Sequence, residues 1–313
     1  MSEGKMNRRM IETIVALLLV LATVWAFVNR GEIVFYWNLF QVDRAGKQFY
    51  AEYPHLARGV AYSPRFGMGL DVYSPAEGEN HPVLIFIHGG GWDKYDRKLF
   101  TPVGQKFIER GIVVVIPDYT LYPEAGYEQM TQEMAAATAW TLENIDQYGG
   151  DPSRVVIAGH SAGGHLAGLV ATDEVWLNFE GHTNQELCGF IGLSGVYDIP
   201  AQMVFERSTG GTAPVMTAVM GGEANFAAAS PSRYVFPGTP QTLLIHGSLD
   251  DTVPFSISQE FQQKLDAAGI PNELIIYPTK GHTDFLFDGF SDPSAPILND
   301  ISDFVQGCFL DVG

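Results

Sequence analysis

The stretch RVVIAGHSAGGHLAGL, residues 154–169, changes character at a single residue. RVVIA is a continuous apolar run, the pattern of a strand buried on both faces. SAGGHLAGLV reads as helical, with no room for a loop between the two. GHSAG (159–163) matches G-x-S-x-G. Alone that match is weak, because Gly and Ser are common. Between a buried strand and a helix it predicts a sharp turn that holds Ser161 above the end of a sheet. The plainer alternative is a serine that only caps a helix in a glycine-rich turn.

Working outward, apolar runs and helical stretches alternate from residue 58 onward. ARGVAYS and GLDVYSP read as an antiparallel hairpin, and VLIFIH (83–88) and IVVVIPDY (112–119) as buried strands. CGFIGLSGVYD, QTLLIHGSLDD and ELIIYP are three more. Helices are expected over 97–111, 127–149, 255–269 and the C-terminal SAPILNDISDFVQGCF. Strands alternating with helices predict an α/β fold, a mostly parallel sheet covered on both faces. Function in such sheets sits past the carboxyl ends of the strands. Segment 200–238 interrupts the alternation and is expected to form a lid insertion over that edge.

A serine hydroxyl needs a base to remove its proton. His282, in the loop YPTKGHTDF after the last strand, is the candidate. The acid lies in LLIHGSLDDTVP, where Asp250 and Asp251 are adjacent. The order Ser, acid, His suits one known arrangement of such sites. HGGGW (88–92) follows an earlier strand. Three glycines bare the backbone, so that amides can approach a developing oxyanion to about 3 Å. Gly90, Gly91 and Ala162 are the candidate donors. Trp92 and His160 are the candidate substrate-binding side chains. His165 and His246 read as packed, structural histidines.

HGGGW, PDYTLYPE, GGDPSRVVIAGHSAGGHLA and HGSLDDTVP together resemble the hormone-sensitive-lipase-like carboxylesterases. The likeness is greater to the branch that holds bacterial feruloyl-esterase-like proteins, kynurenine formamidases and isoprenylcysteine methylesterases. It covers about residues 58 to 310. The resemblance implies an α/β-hydrolase fold, no cofactor, and hydrolysis of esters of small or lipophilic acids. It implies a triad of Ser161, Asp250 and His282, because Asp250 fits H-G-x-x-D-x-x-V-P and Asp251 falls at a variable position. It also implies Gly90, Gly91 and Ala162 as the oxyanion hole. One departure stands out: DYTLYPE has Thr120 where the family pattern has Arg, which leaves Asp118 without its expected partner.

Three functions remain open at this point. A serine carboxylesterase acting on small to medium, partly apolar esters comes first. An amidase or arylformamidase would use the same triad. A hydrolase fold used only to bind partners is the third.

Composition narrows the partners. The chain has 313 residues and a net charge of −18, with 18 Lys and Arg and no basic cluster. Nucleic-acid binding is disfavoured, since phosphate neutralisation needs grouped cations. Two cysteines, Cys188 and Cys308, exclude a cysteine-based metal cluster. They fall at the same edge of the expected sheet, so one disulfide between them is open. Residues 11–28, IETIVALLLVLATVWAFV, follow Lys5, Arg8 and Arg9. Eighteen helical residues reach about 27 Å, near a bilayer's hydrocarbon thickness. Residues 1–30 therefore read as a membrane anchor, with a cleaved signal peptide as the rival. The positive flank predicts a cytoplasmic N-terminus and an extracytoplasmic catalytic domain. That orientation argues against prenylated-protein substrates, which face the cytosol. Residues 31–57, rich in Phe35, Tyr36, Trp37 and Phe40, are expected as a membrane-proximal aromatic cap, with the catalytic domain over 58–313.

Overall fold

The computed structural model describes residues 30–308 except 210 and 212, with side chains from 36 onward except 45. Contacts divide the chain into two compact units, Met1–Ala45 and Gly46–Gly313. Helix α1 covers Arg30–Glu52 and so runs across that division. Within the first unit the Trp37 and Phe40 rings lie 5.9 Å apart, and both are exposed. The compact body thus starts at Gly46, inside the stretch expected as a cap.

The expectation of a single-pass membrane protein with an extracytoplasmic catalytic domain is corrected here. Among the described residues no helix is long and apolar enough to cross a membrane. The stretch 11–28 lies outside the described residues. Helix α1, which follows it, carries Glu32, Asp43, Arg44, Lys47 and Glu52 and is too polar to span.

An eight-stranded sheet fills the second unit, in the order β1-β2-β4-β3-β5-β6-β7-β8. Its strands are β1 (Leu56–Ala61), β2 (Gly69–Tyr73), β3 (His81–Ile87), β4 (Val113–Pro117), β5 (Gly150–His160), β6 (Gly189–Leu193), β7 (Gln241–Gly247) and β8 (Asn272–Tyr277). β1 and β2 pair antiparallel, β2 joins β4 antiparallel, and the six strands from β4 to β8 run parallel. The central runs are apolar without alternation because helices cover both faces. Val83, Ile85, Ile87, Val155 and Ile157 belong to the core of one face. Leu84, Phe86, Val114, Val156 and Ala158 belong to the other.

The first face is covered by α3 (Tyr127–Asn144), α4 (Ala162–Thr172), α5 (Glu174–Phe179) and α8 (Ser256–Ala267), and the second by α2 (Thr101–Ile108), α9 (Asp284–Ser291) and α10 (Pro296–Gly307). α4 is buried along its whole length, which is why its sequence is apolar on every side. The 200–238 segment adds α6 (Ile199–Thr209) and α7 (Ala213–Val219). It is fastened to the body at several points. Gln202 Nε2 donates to the Thr252 carbonyl at 2.8 Å, and the Ser232 amide to the Tyr197 carbonyl at 3.0 Å.

Cys188 and Cys308 are joined, with Cα atoms 5.8 Å apart across 120 residues of chain. A loop that long restricts the unfolded chain by at most about 5 kcal/mol. The double variant C188A/C308A is therefore expected to melt several degrees lower in oxidising buffer, read by calorimetry. An unchanged Tm would mean that the bond adds nothing to stability.

Candidate active site

The site is built on close backbone contact. β5 ends at His160, α4 begins at Ala162, and Ser161 between them has φ 55° and ψ −120°. A non-glycine residue rarely holds such a conformation unless its surroundings impose it. Here they do. A Cβ on Gly163 would run into the Ile87 carbonyl oxygen, and one on Gly159 into the Gly163 carbonyl oxygen. Both glycines of the motif are thus required by main chain packed on main chain. The Ser161 amide donates to the Leu193 carbonyl at 2.9 Å and fixes the turn to β6.

Above this turn, three side chains form one hydrogen-bonded line. His282 Nε2 lies 2.8 Å from Ser161 Oγ, and His282 Nδ1 lies 2.8 Å from Asp250 Oδ2. A carboxylate only accepts, so Nδ1 carries the hydrogen and Nε2 is left to accept from the serine hydroxyl. Asp250 Oδ1 accepts the amides of Thr252 at 2.9 Å and Val253 at 2.8 Å. Burial alone would push the Asp250 carboxyl up. Hydrogen bonds from His246 and His282 reverse that and hold it well below the usual carboxylate range. Asp251 is exposed and stands outside this line.

His282 sits on a loop that β7 touches directly: a Cβ on Gly247 would collide with the Lys280 carbonyl. His160 holds the same loop from beneath. Its Nε2 donates to the His282 carbonyl at 2.9 Å, and the two rings lie 4.8 Å apart. His160 is only 5% exposed. His160 was expected as a substrate-binding side chain; the structure places its Nε2 on the His282 backbone.

The glycine run meets the turn edge-on. A Cβ on Gly89 would stand 2.9 Å from the His160 carbonyl oxygen and 3.2 Å from Ser161 Cβ. Gly90 and Gly91 have φ of 124° and 61°, the region that favours glycine. The Tyr119 hydroxyl donates to the His88 carbonyl at 3.1 Å, and the Tyr122 amide to the Trp92 carbonyl at 2.9 Å. Trp92 is buried, and its indole Nε1 donates to His165 Nδ1 at 3.2 Å. His165 Nε2 in turn donates to the Ala229 carbonyl at 2.7 Å. The one polar atom of Trp92, expected as a substrate-binding side chain, ties the glycine loop to α4, and His165 carries that tie on to the 200–238 segment.

The expectation that Asp118 lacks a partner is corrected. The Arg97 amide donates to Asp118 Oδ1 at 2.7 Å, and its guanidinium pairs with Asp118 Oδ2. Arg97 Nε lies 2.8 Å from Asp71 Oδ1, which also accepts the Gly59 amide at 2.7 Å. Burial opposes the Arg97 charge, but Asp71 and Asp118 hold the guanidinium firmly protonated. Thr120, at the position of the family's Arg, instead gives its hydroxyl to Glu133 at 2.7 Å. The cation comes from the far end of the glycine loop, 21 residues before Asp118, and no local spacing signals it.

A sharp turn carrying Ser161, a His and an Asp in line with it, and an eight-stranded sheet in this order define an α/β-hydrolase. The family model described as BD-FAE matches residues 70–265, and the chain belongs to that family. It is 29% identical over 258 residues to isoprenylcysteine alpha-carbonyl methylesterase of Arabidopsis thaliana, covering 78% of this chain and 60% of that protein. It is 30% identical over 220 residues to esterase LipC of Mycobacterium tuberculosis, covering 66% and 54%. The chain thus spans about 60% of the length of the curated plant relatives it matches. Among solved structures, a truncated carbohydrate esterase from gut microbiota superposes with a TM-score of 0.68 at 24% identity, covering 80% of this chain and 95% of that one. A propionate-bound esterase 2 of Thermogutta terrifontis gives 0.67 at 23%, covering 84% and 98%. These two share the fold.

The buried histidines carry a consequence for stability. Burial pushes His160 down to about 3, with His282 adding to the fall, and pushes His165 down to about 4. The unfolded chain takes protons on both below about pH 6.5, whereas the native state refuses them until far lower. Stability is therefore lost on acidification, by about 1.4 kcal/mol per pH unit for each histidine between about pH 6 and 4. Asp250, held low, adds to the loss below its unfolded value near 3.9. Melting at constant ionic strength from about pH 8 to 5 should show Tm falling below about pH 6.5. A flat or rising Tm would contradict it.

Proposed function

We propose that this chain is a serine carboxylesterase that hydrolyses small to medium, partly apolar esters through an acyl-enzyme on Ser161. The observation that carries the reading is the line Ser161–His282–Asp250, with 2.8 Å at each step. His282 Nε2 takes the serine proton as Oγ attacks the ester carbonyl. The negative charge that develops on the carbonyl oxygen falls to the amides of Gly90, Gly91 and Ala162, at the N-terminus of α4. His282 returns the proton to the leaving alcohol, and the acyl-enzyme remains. Water then attacks, giving its proton to His282, and the acid departs as Ser161 regains its proton. Asp250 holds the His282 tautomer and balances the imidazolium that forms twice in the cycle.

The names of the relatives support an ester as substrate. The Arabidopsis thaliana relative is named a methylesterase of isoprenylcysteine. The objection to such substrates rested on an outward-facing domain. With that placement withdrawn, methyl esters of lipophilic acids belong in the substrate series. An amidase or arylformamidase would use the same residues, so matched N-formyl and anilide substrates belong there too.

The test is kinetic and covalent. p-Nitrophenyl acetate and butyrate should be turned over, and S161A should lose about four orders of magnitude or more in kcat. D250N should lose about four orders, through the wrong His282 tautomer. Paraoxon should leave one phosphoryl adduct, mapped by peptide mass to Ser161. Full activity in S161A, or labelling of S161A equal to wild type, would end this reading.

A further inference from the structure

His246 is the one buried titratable side chain that touches the acid and takes no step in the reaction above. It stands near the end of β7 and is 0% exposed. Its Nε2 is 2.8 Å from the Val253 carbonyl and 3.1 Å from Asp250 Oδ2. Both neighbours can only accept, so Nε2 carries a hydrogen; it is bonded to the Val253 carbonyl and faces Asp250 Oδ2 at 3.1 Å. Nδ1 lies 2.8 Å from Ser258 Oγ on α8, which holds the ring from the other side. Asp250 Oδ2 therefore receives two imidazoles, Nδ1 of His282 at 2.8 Å and Nε2 of His246 at 3.1 Å. Asp251, next in the chain, is exposed, and His160 lies against His282, their rings 4.8 Å apart.

We propose that His246 is a positioning residue for the reaction, a second imidazole that draws charge from Asp250 Oδ2 and so limits how strongly that carboxylate polarises His282. The inference rests on the esterase reading of Ser161, His282 and Asp250. Its physical basis is the division of labour between the two carboxylate oxygens. Oδ1 is fixed by two backbone amides, those of Thr252 and Val253. The orientation of the carboxylate thus survives without His246. What His246 adds is an N–H 3.1 Å from the same oxygen that His282 uses. Two donors on one oxygen each receive less negative charge than one alone would. Without His246 the charge on Oδ2 concentrates on His282, which then holds its proton to higher pH.

The pH profile separates this role from simple packing. In H246L the donor is gone, and the acid limb of kcat/KM should move up by roughly half to one pH unit. In H246Q the side-chain amide nitrogen stands close to where Nε2 was, and the limb should stay near that of wild type. A residue that only fills space predicts no movement in either variant. Profiles with p-nitrophenyl butyrate from about pH 5 to 8 supply the reading. An unmoved limb in folded H246L overturns the proposal. If H246L does not fold, the wild-type enzyme decides: nitrogen-15 histidine spectra must show a hydrogen on His246 Nε2, and one on Nδ1 alone overturns it. S161A, run in parallel, keeps the two claims apart. An active S161A sinks the esterase reading itself, whereas an inactive S161A with an unmoved limb in H246L sinks only the role of His246.

Discussion

Everything in the site depends on one steric fact: three stretches of main chain lie against each other with no side chain between them. Gly163 presses on the Ile87 carbonyl, Gly159 on the Gly163 carbonyl, and Gly89 on the His160 carbonyl and Ser161 Cβ. This contact puts the end of β3 beside the end of β5. It also holds Ser161 in a conformation that an isolated residue would leave. The proposed role of the Gly90, Gly91 and Ala162 amides as oxyanion donors rests on this same closeness of Gly89 to Ser161. In the proposed mechanism, the nucleophile and the charge-stabilising groups would then share one packing arrangement.

Electrostatics then sets the protonation states around that frame. Asp250 gathers two amides and two imidazoles and stays ionised in spite of burial. His160 and His165 are buried and kept low, so each can act as a fixed donor at one nitrogen. His160 steadies the His282 carbonyl, and His165 joins Trp92 to Ala229. On the opposite side of the glycine loop, Arg97 draws Asp71 and Asp118 together. A half-buried cation between two carboxylates costs solvation, and removing it alone would strand both acids. Its position at the loop's exit means that the loop is fixed by charge there and by backbone contact at its entry.

Much of this was legible before any coordinates. The buried strands read from unbroken apolar runs, because parallel strands covered on both faces need no alternation. Ser161, Asp250 and His282 read from motif and chain order, because the chemistry requires those residue types past particular strands. The choice of Asp250 over Asp251 came only with the resemblance, since adjacent acids are equivalent on paper. The partners of these residues were not legible. Arg97 meets Asp118 across 21 positions, and His160 meets His282 across 122. Such pairs are made by the fold and leave no local spacing. Trp92 and His160 were read as substrate contacts because they flank the chemistry; that Trp92 Nε1 meets His165 and His160 Nε2 meets the His282 carbonyl had no signal in the sequence. The membrane placement failed differently: it rested on the apolar run at 11–28 and its positive flank, which lie outside the described residues, and among those no helix is long and apolar enough to cross a bilayer.

The most direct test of the central claim is a crystal structure of the organophosphate-treated protein. The phosphorus should be bonded to Ser161 Oγ, with its phosphoryl oxygen about 3 Å from the amides of Gly90, Gly91 and Ala162. Phosphorus on any other residue, or an oxygen turned away from all three amides, would contradict the account.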